Sequence, residues 1–209
     1  MRLDPHVHTY RSGHSLLKPK DIARVAKRRG IGAIAITDHD VIEGAFELSK
    51  LYPTVVGEEV STDEGDIIGL FLTEHVPRGP ALEVMDLIRS QGALVVVPHP
   101  FDSFRKEAVN SEEICLKADI IEVFNSRVVR GEDNKRAEDF AESRSLLKIA
   151  GSDAHTSLEI GCSWVDVDSI ETPSEFMAAL KKSTMTCRRS PMIEHAQTKL
   201  LKMARGVFR

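Results

Sequence analysis

Short apolar runs alternate with amphipathic stretches along most of the chain. Six runs predict buried strands, because each is brief, aliphatic and bounded by glycine, proline or polar residues; they are residues 31–37, 54–60, 67–72, 93–98, 119–124 and 147–151. Between them, four segments predict helices; they are residues 18–29, 80–91, 111–117 and 131–143. Strands that alternate with helices predict an α/β fold with a parallel sheet, and the pattern fits a closed barrel and an open sheet equally.

Length and composition favour one ordinary globular domain. The chain has 209 residues, of which 42% are hydrophobic and 29% are charged, values typical of a protein with a single core. The formal net charge of -4 argues against a general nucleic-acid-binding surface. The sequence contains neither a long apolar run nor an apolar signal core, so we expect no membrane span and no secretory signal.

Cysteine use indicates a reducing compartment. The three cysteines are Cys115, Cys162 and Cys187, and no C-x-x-C pair occurs. An odd count without paired spacing argues against a disulfide framework and against a thiolate zinc site. We therefore expect a cytoplasmic protein that uses its cysteines as small apolar residues.

Side chains able to bind metal gather at the carboxyl ends of the predicted strands. They are Asp4, His6, His8, Asp38, His39, Glu58, Glu59, His99, Glu122, Asn125, Asp153 and His155. In α/β barrels this end of the strands is the face on which the active site is built. Several separate segments therefore deliver ligands to one place, which predicts a metal centre there.

Two short motifs add local geometry to this prediction. His6 and His8 are two residues apart, so on a strand both imidazoles point to one side and can bind one ion. Asp153 and His155 repeat the spacing with one oxygen and one nitrogen ligand. Mixed nitrogen and oxygen ligands suit zinc, manganese or iron and do not choose among them. A carboxylate such as Glu59 can bridge two ions about 3.5–4 Å apart.

The same segments resemble the PHP (polymerase and histidinol phosphatase) superfamily. The motifs, in the family's order, are D-P-H-V-H-T from residue 4, I-T-D-H-D from residue 36, G-E-E-V-S-T from residue 57, P-H-P from residue 98, I-E-V-F-N-S from residue 121 and G-S-D-A-H from residue 151. The resemblance implies an α/β fold, a distorted (β/α)7 barrel of the PHP type. Residues 1–187 would form the phosphoesterase domain, and the basic residues 188–209 would form a helical segment packed on the barrel or trailing from it.

The resemblance also implies two or three divalent ions (Zn, Mn or Fe) and a ligand set for them. Four residues would surround the first ion: His6, His8, Glu59 and Asp153. Glu59 would bridge to a second ion held by His99. Glu59 is preferred over Glu58 because the family pattern reads G-x-E, which leaves Glu58 either just outside the ligand set or exposed.

The third ion would be held by His14, His39 and His155. His14 lies six residues after His8, where some family members have a histidine. Many members instead have an aspartate one residue earlier, where Gly13 stands in this chain. Asp38 is expected beside the ligands or against the substrate.

One departure from the family concerns the second ion, which usually has another histidine or cysteine after the I-E-V-x-N segment. Arg127 and Arg130 stand nearby instead, and neither can bind a cation. That ion would then be weakly held or absent, or Glu122, Asn125 or water would complete its site. The arginines suit bidentate phosphate binding, and Arg11 in the first loop could do the same.

The resulting hypothesis is hydrolysis of a phosphate ester by a metal-activated hydroxide. Asp153 or His155 would handle the proton of the leaving alkoxide. Arg127 or Arg130 would stabilise charge on the phosphoryl oxygens.

We expect a small phosphomonoester as substrate, of the sugar, nucleotide or histidinol phosphate type. A nuclease or phosphodiesterase acting on nucleotides or nucleic-acid ends is the alternative. The 5% aromatic content argues against it, and basic residues in 24–29 argue for it. A non-catalytic metal- or phosphate-binding module is the third reading. His75 and His195 lie outside every motif and are expected to be ordinary surface or packing residues.

Overall fold

The computed structural model describes residues 1–205, and the last four residues of the predicted basic segment lie outside the described part. Its strands are β1 (Arg2–Val7), β2 (Ala33–Ile36), β3 (Thr54–Thr62), β4 (Gly65–Leu70), β5 (Leu94–Val97), β6 (Ile120–Asn125), β7 (Leu147–Gly151), β8 (Trp164–Asp166) and β9 (Thr184–Thr186). Its helices are α1 (Pro19–Arg29), α2 (Glu43–Ser49), α3 (Ala81–Ser90), α4 (Glu112–Leu116), α5 (Gly131–Ser143), α6 (Pro173–Leu180) and α7 (Met192–Arg205). All six predicted strands and the four helices predicted between them are present.

The strands form one sheet in the order β7-β6-β5-β4-β3-β2-β1-β8-β9. The sheet curls until the chain just after β7 meets β1. There the backbone N–H of His8 donates to the carbonyl of Ala154 at 2.9 Å, and the N–H of Ala154 donates to the carbonyl of His6 at 3.3 Å. These contacts bring seven strands, β1 to β7, into a nearly closed barrel. The predicted distorted barrel is thereby confirmed.

The sheet is not fully parallel, and this corrects the parallel sheet that we predicted from the alternation of strands and helices. Strand β4, predicted from the run 67–72, is antiparallel to both β3 and β5. Only Asp63 and Glu64 connect β3 to β4, and so short a connection makes a hairpin, because a parallel crossover needs about a dozen residues. Strands β8 and β9 are antiparallel as well. They escaped prediction because three residues are too few to show a period.

Apolar and polar layers divide the barrel interior. Alternate residues of the barrel strands pack into one buried cluster that includes Leu3, Ala35, Val55, Leu70, Val96, Ile120 and Ile149. Strand side chains alternate between faces, so Glu59 shares the inward face with Val55, and Glu122 shares it with Ile120. Both carboxylates lie nearer the carboxyl ends of their strands. The apolar layer therefore closes one end of the barrel and leaves the polar residues at the other.

The C-terminal basic segment contains the predicted helix, α7. Before it, the backbone N–H of Ser190 donates to the carbonyl of Ser126 at 2.8 Å. The segment is therefore tied to the carboxyl end of the barrel, just beyond β6. Among residues 1–205, no helix is long and apolar enough to cross a bilayer.

Candidate metal centre

His6 at the end of β1 and His8 just after it are fully buried and point to one spot. Their Nε2 atoms are 3.0 Å apart. Asp153 Oδ1 lies 3.2 Å from His8 Nε2 and 3.7 Å from His6 Nε2, and Glu59 Oε2 lies 3.4 Å and 3.5 Å from the same two atoms. Ligands bound at about 2.0–2.1 Å around a tetrahedral ion lie at comparable separations. The four atoms therefore fit around a single cation.

The other ring nitrogen of each histidine is already engaged. His6 Nδ1 lies 3.0 Å from the Glu122 carboxylate and must donate to it. His8 Nδ1 lies 3.2 Å from Ser12 Oγ, whose own proton goes to the Asp38 carboxylate at 2.6 Å, so His8 donates here too. In the neutral rings both Nε2 atoms then carry lone pairs, and two facing lone pairs require a cation between them.

A second histidine pair repeats the arrangement. His14 Nδ1 is 3.0 Å from the carbonyl of Ser12, and His155 Nδ1 is 2.8 Å from the carbonyl of Asp153. A carbonyl only accepts, so both Nδ1 atoms donate. The two Nε2 atoms are 2.8 Å apart. Burial, followed by His8 and Arg127, lowers the pKa of His155 well below its ordinary value, so a proton is a poor substitute for a metal between these rings.

Two buried carboxylate oxygens supply the negative charge that such a cation needs. Glu59 Oε2 and Asp153 Oδ1 have no well-aligned hydrogen bond among the described residues, and their nearest nitrogens, His39 Nδ1 at 3.0 Å and His8 Nε2 at 3.2 Å, belong to other predicted ligands. Burying a charged oxygen without a donor is costly. Burial would raise both pKa values, yet both lie well below their ordinary range, since His39 and His6 act on Glu59, and Arg105 and His6 act on Asp153. Both groups stay ionised and suited to bind metal.

Four groups of ligand atoms converge closely enough to hold an ion. They are His8, His39 and His155; His6, Glu59 and His99; His6, His8 and Asp153; and His39, Glu59 and Asp66. The structure thus brings all eight predicted metal ligands into one cluster, with His14 joined through His155. Asp66, at the start of β4, was missed. Its position after a turn resembled an ordinary surface aspartate, although it is 3% exposed.

Glu122 and Asn125 contact the predicted ligands, and among the described residues Glu122 belongs to none of the groups of converging ligand atoms. Glu122 Oε2 accepts from the backbone N–H of His99 and from Asn125 Nδ2, both at 2.9 Å. Glu122 Oε1 faces His6, so both of its oxygens are engaged. His99 has a φ of 32°, a region that non-glycine residues seldom adopt, and the bond from Glu122 holds it there.

The side chains of the first loop are fixed by Asp38. Its carboxylate accepts from the backbone N–H of Thr9 at 2.6 Å and from Thr9 Oγ1 at 2.5 Å, besides Ser12. These bonds shape the short turn Tyr10–Ser12 that carries the partner of His8. The predicted position of Asp38 beside the ligands agrees with this geometry.

A cavity of about 250 Å³ opens above the ligands. Its lining residues are His14, His39, Asp66, Asp102, Phe104, Arg105, Glu107, Arg127, Val129, Asp153, His155, His195 and Thr198. The basic helix α1 contributes nothing to this lining. A larger, open groove of about 760 Å³ lies against α5 and contains no candidate ligand.

The four relevant arginines differ in position. Arg127 lines the cavity and pairs with Glu159 at 2.5 Å. Arg105, which the sequence did not single out because it lies in an irregular loop, lines the cavity and donates to Asp153 Oδ2 at 2.9 Å. Arg130 is exposed at the start of α5, and Arg11 pairs with Glu47 at the surface. The structure does not bring Arg130 or Arg11 to the cavity lining.

Three residues set aside in the sequence also have definite positions. Glu58 lies on the outward face of β3 and is fully buried, where it accepts from Val76 N at 3.1 Å and contacts His75 Nδ1 at 2.7 Å. His75 is therefore a packing partner, as expected. His195 lines the cavity, and its expected role as an ordinary surface or packing residue stays a prediction.

Comparison with known proteins agrees with the motifs. Residues 4–123 match the family model described as PHP domain, and residues 131–185 match the one described as PHP-associated. The uncharacterized protein MJ0417 of Methanocaldococcus jannaschii is 34% identical over 198 residues, which cover 88% of this chain and 81% of that protein.

Solved structures share the fold. A two-domain protein of Bacteroides vulgatus, described as containing a predicted PHP-like metal-dependent phosphoesterase, superposes with a TM-score of 0.73 over 96% of this chain and 69% of that chain, at 17% identity. PsfC of Pseudomonas syringae superposes with a TM-score of 0.68 over 99% of this chain and 98% of that chain, at 16% identity. At these identities the likeness establishes the fold alone.

Proposed function

Because this chain belongs to the PHP family, we propose that it is a metal-dependent phosphoesterase that hydrolyses small phosphomonoesters. One observation carries the proposal: two pairs of buried histidines turn their Nε2 atoms toward each other while their Nδ1 atoms donate elsewhere. Such pairs gain from a metal cation between them and have no other evident role in a barrel. The ligand set has nitrogen and carboxylate oxygen donors, which suits zinc, manganese or iron.

The preference for a monoester follows from the shape and charge of the cavity. Its volume of about 250 Å³ suits a small ester better than a nucleic-acid strand. Arg105 and Arg127 on its wall complement the charge of a terminal phosphate group.

Hydrolysis forms a bond from a water oxygen to phosphorus and breaks the bond from phosphorus to the ester oxygen. The proton that the water loses ends on the ester oxygen, which leaves as an alcohol. Divalent ions in such a site lower the pKa of water and neutralise charge on phosphoryl oxygens. The residues of the chain hold the ions, orient the phosphoryl group through Arg127, and enclose it. Asp153 keeps its negative charge because of Arg105, so it serves as a ligand and not as the proton donor.

The test compares the full chain with two ligand variants, His8→Ala and Asp153→Ala. Each protein is stripped by a chelator, reloaded with manganese or zinc, and assayed on p-nitrophenyl phosphate and bis(p-nitrophenyl) phosphate. We expect the wild type to favour the monoester and both variants to lose metal and turnover together. Asp86→Ala, an exposed position on α3, is the matched control. Full turnover after chelation would overturn the proposal, and a faster diester reaction would favour the nuclease alternative.

A further inference from the structure

The helix α7 places one side chain over the candidate metal centre. His195, on its first turn, lines the same cavity as His14, His155 and Arg127. Thr198, one turn later, lines it too. Both residues lie beyond the ranges 4–123 and 131–185 that match the two family models. Part of the cavity wall therefore belongs to a segment of the chain that lies outside both family matches.

His195 Nε2 is buried and has no hydrogen-bond partner among the described residues. A buried ring nitrogen without a partner is costly unless a ligand or water completes it. Among those residues, His195 also belongs to none of the groups of converging ligand atoms. His195 thus combines an unpartnered ring nitrogen with a place on the cavity wall outside the groups of converging ligand atoms.

The start of α7 is anchored to the centre through Glu159. Ser190 Oγ donates to Glu159 Oε1 at 2.6 Å, and the backbone N–H of His155 donates to Glu159 Oε2 at 2.9 Å. Arg127 pairs with the same carboxylate. One buried carboxylate therefore holds the predicted metal ligand His155, the cavity residue Arg127 and Ser190, which lies just before α7. These contacts fix the position of α7, and so of His195, relative to the candidate metal centre.

We propose that His195 is a substrate-binding residue, whose Nε2–H donates a hydrogen bond to the phosphoryl group of the ester that Arg105 and Arg127 also face. This inference rests on the proposed function, since it takes a phosphate ester as the occupant of the cavity. It adds that the C-terminal helix is part of the substrate site.

The test measures phosphate binding separately from turnover. The full chain, loaded with manganese, is titrated with inorganic phosphate by calorimetry, and its metal content is measured by mass spectrometry. His195→Ala should weaken phosphate binding about 10- to 100-fold, the effect of one lost hydrogen bond to a charged group, with unchanged metal content. His195→Gln, which keeps a donor, should recover part of the loss. Gln197→Ala, exposed on the same helix, should match the wild type.

Two further outcomes separate the two proposals. If His195→Ala binds phosphate as tightly as the wild type while both hold metal, the inference is overturned and the proposed hydrolysis stands. If phosphate binding depends on His195 but the wild type hydrolyses no phosphate ester, the inference stands and the proposed hydrolysis fails. Thermal melting of each variant shows whether it is folded, and His195→Gln carries the comparison if the alanine variant is not.

Discussion

Glu122 and His6 lie 116 residues apart in the chain and meet in one buried hydrogen bond of 3.0 Å in the polar layer of the barrel. The carboxylate fixes the tautomer of His6 by taking its Nδ1 proton, so Nε2 faces the metal centre. Its other oxygen accepts from the backbone of His99 and from Asn125. A single residue thus contacts two predicted ligands, one on β1 and one just after β5.

The first prediction concerns Glu122→Gln. An amide has one acceptor, so its NH2 group must face a donor at either His6 or His99, and one of the two bonds is lost. We expect the affinity for manganese or zinc to fall about 10- to 100-fold, the usual cost of losing such support. Competition with a chromogenic chelator measures the change. Glu113→Gln, at an exposed glutamate of α4, is the control, and equal affinities of the two variants would contradict the prediction.

The second prediction concerns Gly151, at the end of β7. A Cβ there would overlap Glu122 Oε1 and lie 2.7 Å from His6 Cβ. Gly151→Ala should therefore displace the His6–Glu122 pair and weaken metal binding although no ligand is removed. Gly79→Ala, where the nearest atom to the new Cβ would be 3.9 Å away, should leave metal binding unchanged. A normal metal content in Gly151→Ala, measured by mass spectrometry, would count against this account of the site.

Much of the site could be predicted from the sequence because its ligands follow apolar strands. His39, His99 and Asp153 each stand just after such a run, and the carboxyl ends of barrel strands meet at one face. The pair spacing of His6 and His8 then fixes a shared direction. Both patterns involve residues that are close together in the sequence, so they can be recognised before the fold is known.

The remaining parts depend on contacts that no local pattern contains. Arg105 lies in an irregular loop, and only the folded chain brings it 2.9 Å from Asp153. Asp66 precedes an apolar run whose strand is antiparallel, so its place near His39 required the hairpin of β3 and β4. His195 is a lone histidine on a basic helix, and its role follows from where that helix packs.

The third prediction concerns the pH dependence of the metal-free protein. Burial works to lower the pKa of His6, but nearby carboxylates, Glu122 first, raise it well above its ordinary value. The stabilisation from this raised pKa is fully present below the unfolded value of about 6.5 and is lost as pH rises through the folded value. The free energy of unfolding of the chelated protein should therefore fall above pH 6.5, by up to about 1.4 kcal/mol per pH unit from this group.

Urea unfolding at several pH values between 6.5 and 9 measures this fall. Adding manganese should flatten the dependence, because a metal-bound His6 carries no proton in this range. His6→Asn should flatten it in the chelated protein too. A chelated wild type whose stability stays level over that range would show that His6 titrates normally.

The fourth prediction concerns Glu159, which is fully buried and accepts from Arg127, Ser190 and the backbone of His155. Glu159→Ala leaves the mostly buried guanidinium of Arg127 without its partner, and breaking a buried ion pair costs about 3–5 kcal/mol. We expect a loss of that order in the free energy of urea unfolding. The double variant Glu159→Ala with Arg127→Met should recover part of it, because no charge is then left unpaired. No recovery would mean that the bonds to Ser190 and His155 carry the stability.

The fifth prediction separates the arginines by position. Arg105 and Arg127 line the cavity, whereas Arg130 is exposed at the start of α5. Lysine keeps the charge but loses the planar, two-pronged donor, so it is a weak substitute where an arginine meets phosphate. Arg105→Lys and Arg127→Lys should each lower kcat/KM for p-nitrophenyl phosphate by about 10-fold or more, a loss on the order of one charge-assisted hydrogen bond. Arg130→Lys should leave kcat/KM unchanged. If only Arg130→Lys lowered kcat/KM, the start of α5 would contact the substrate. The substrate would then bind beside that helix and not in the cavity lined by Arg105 and Arg127.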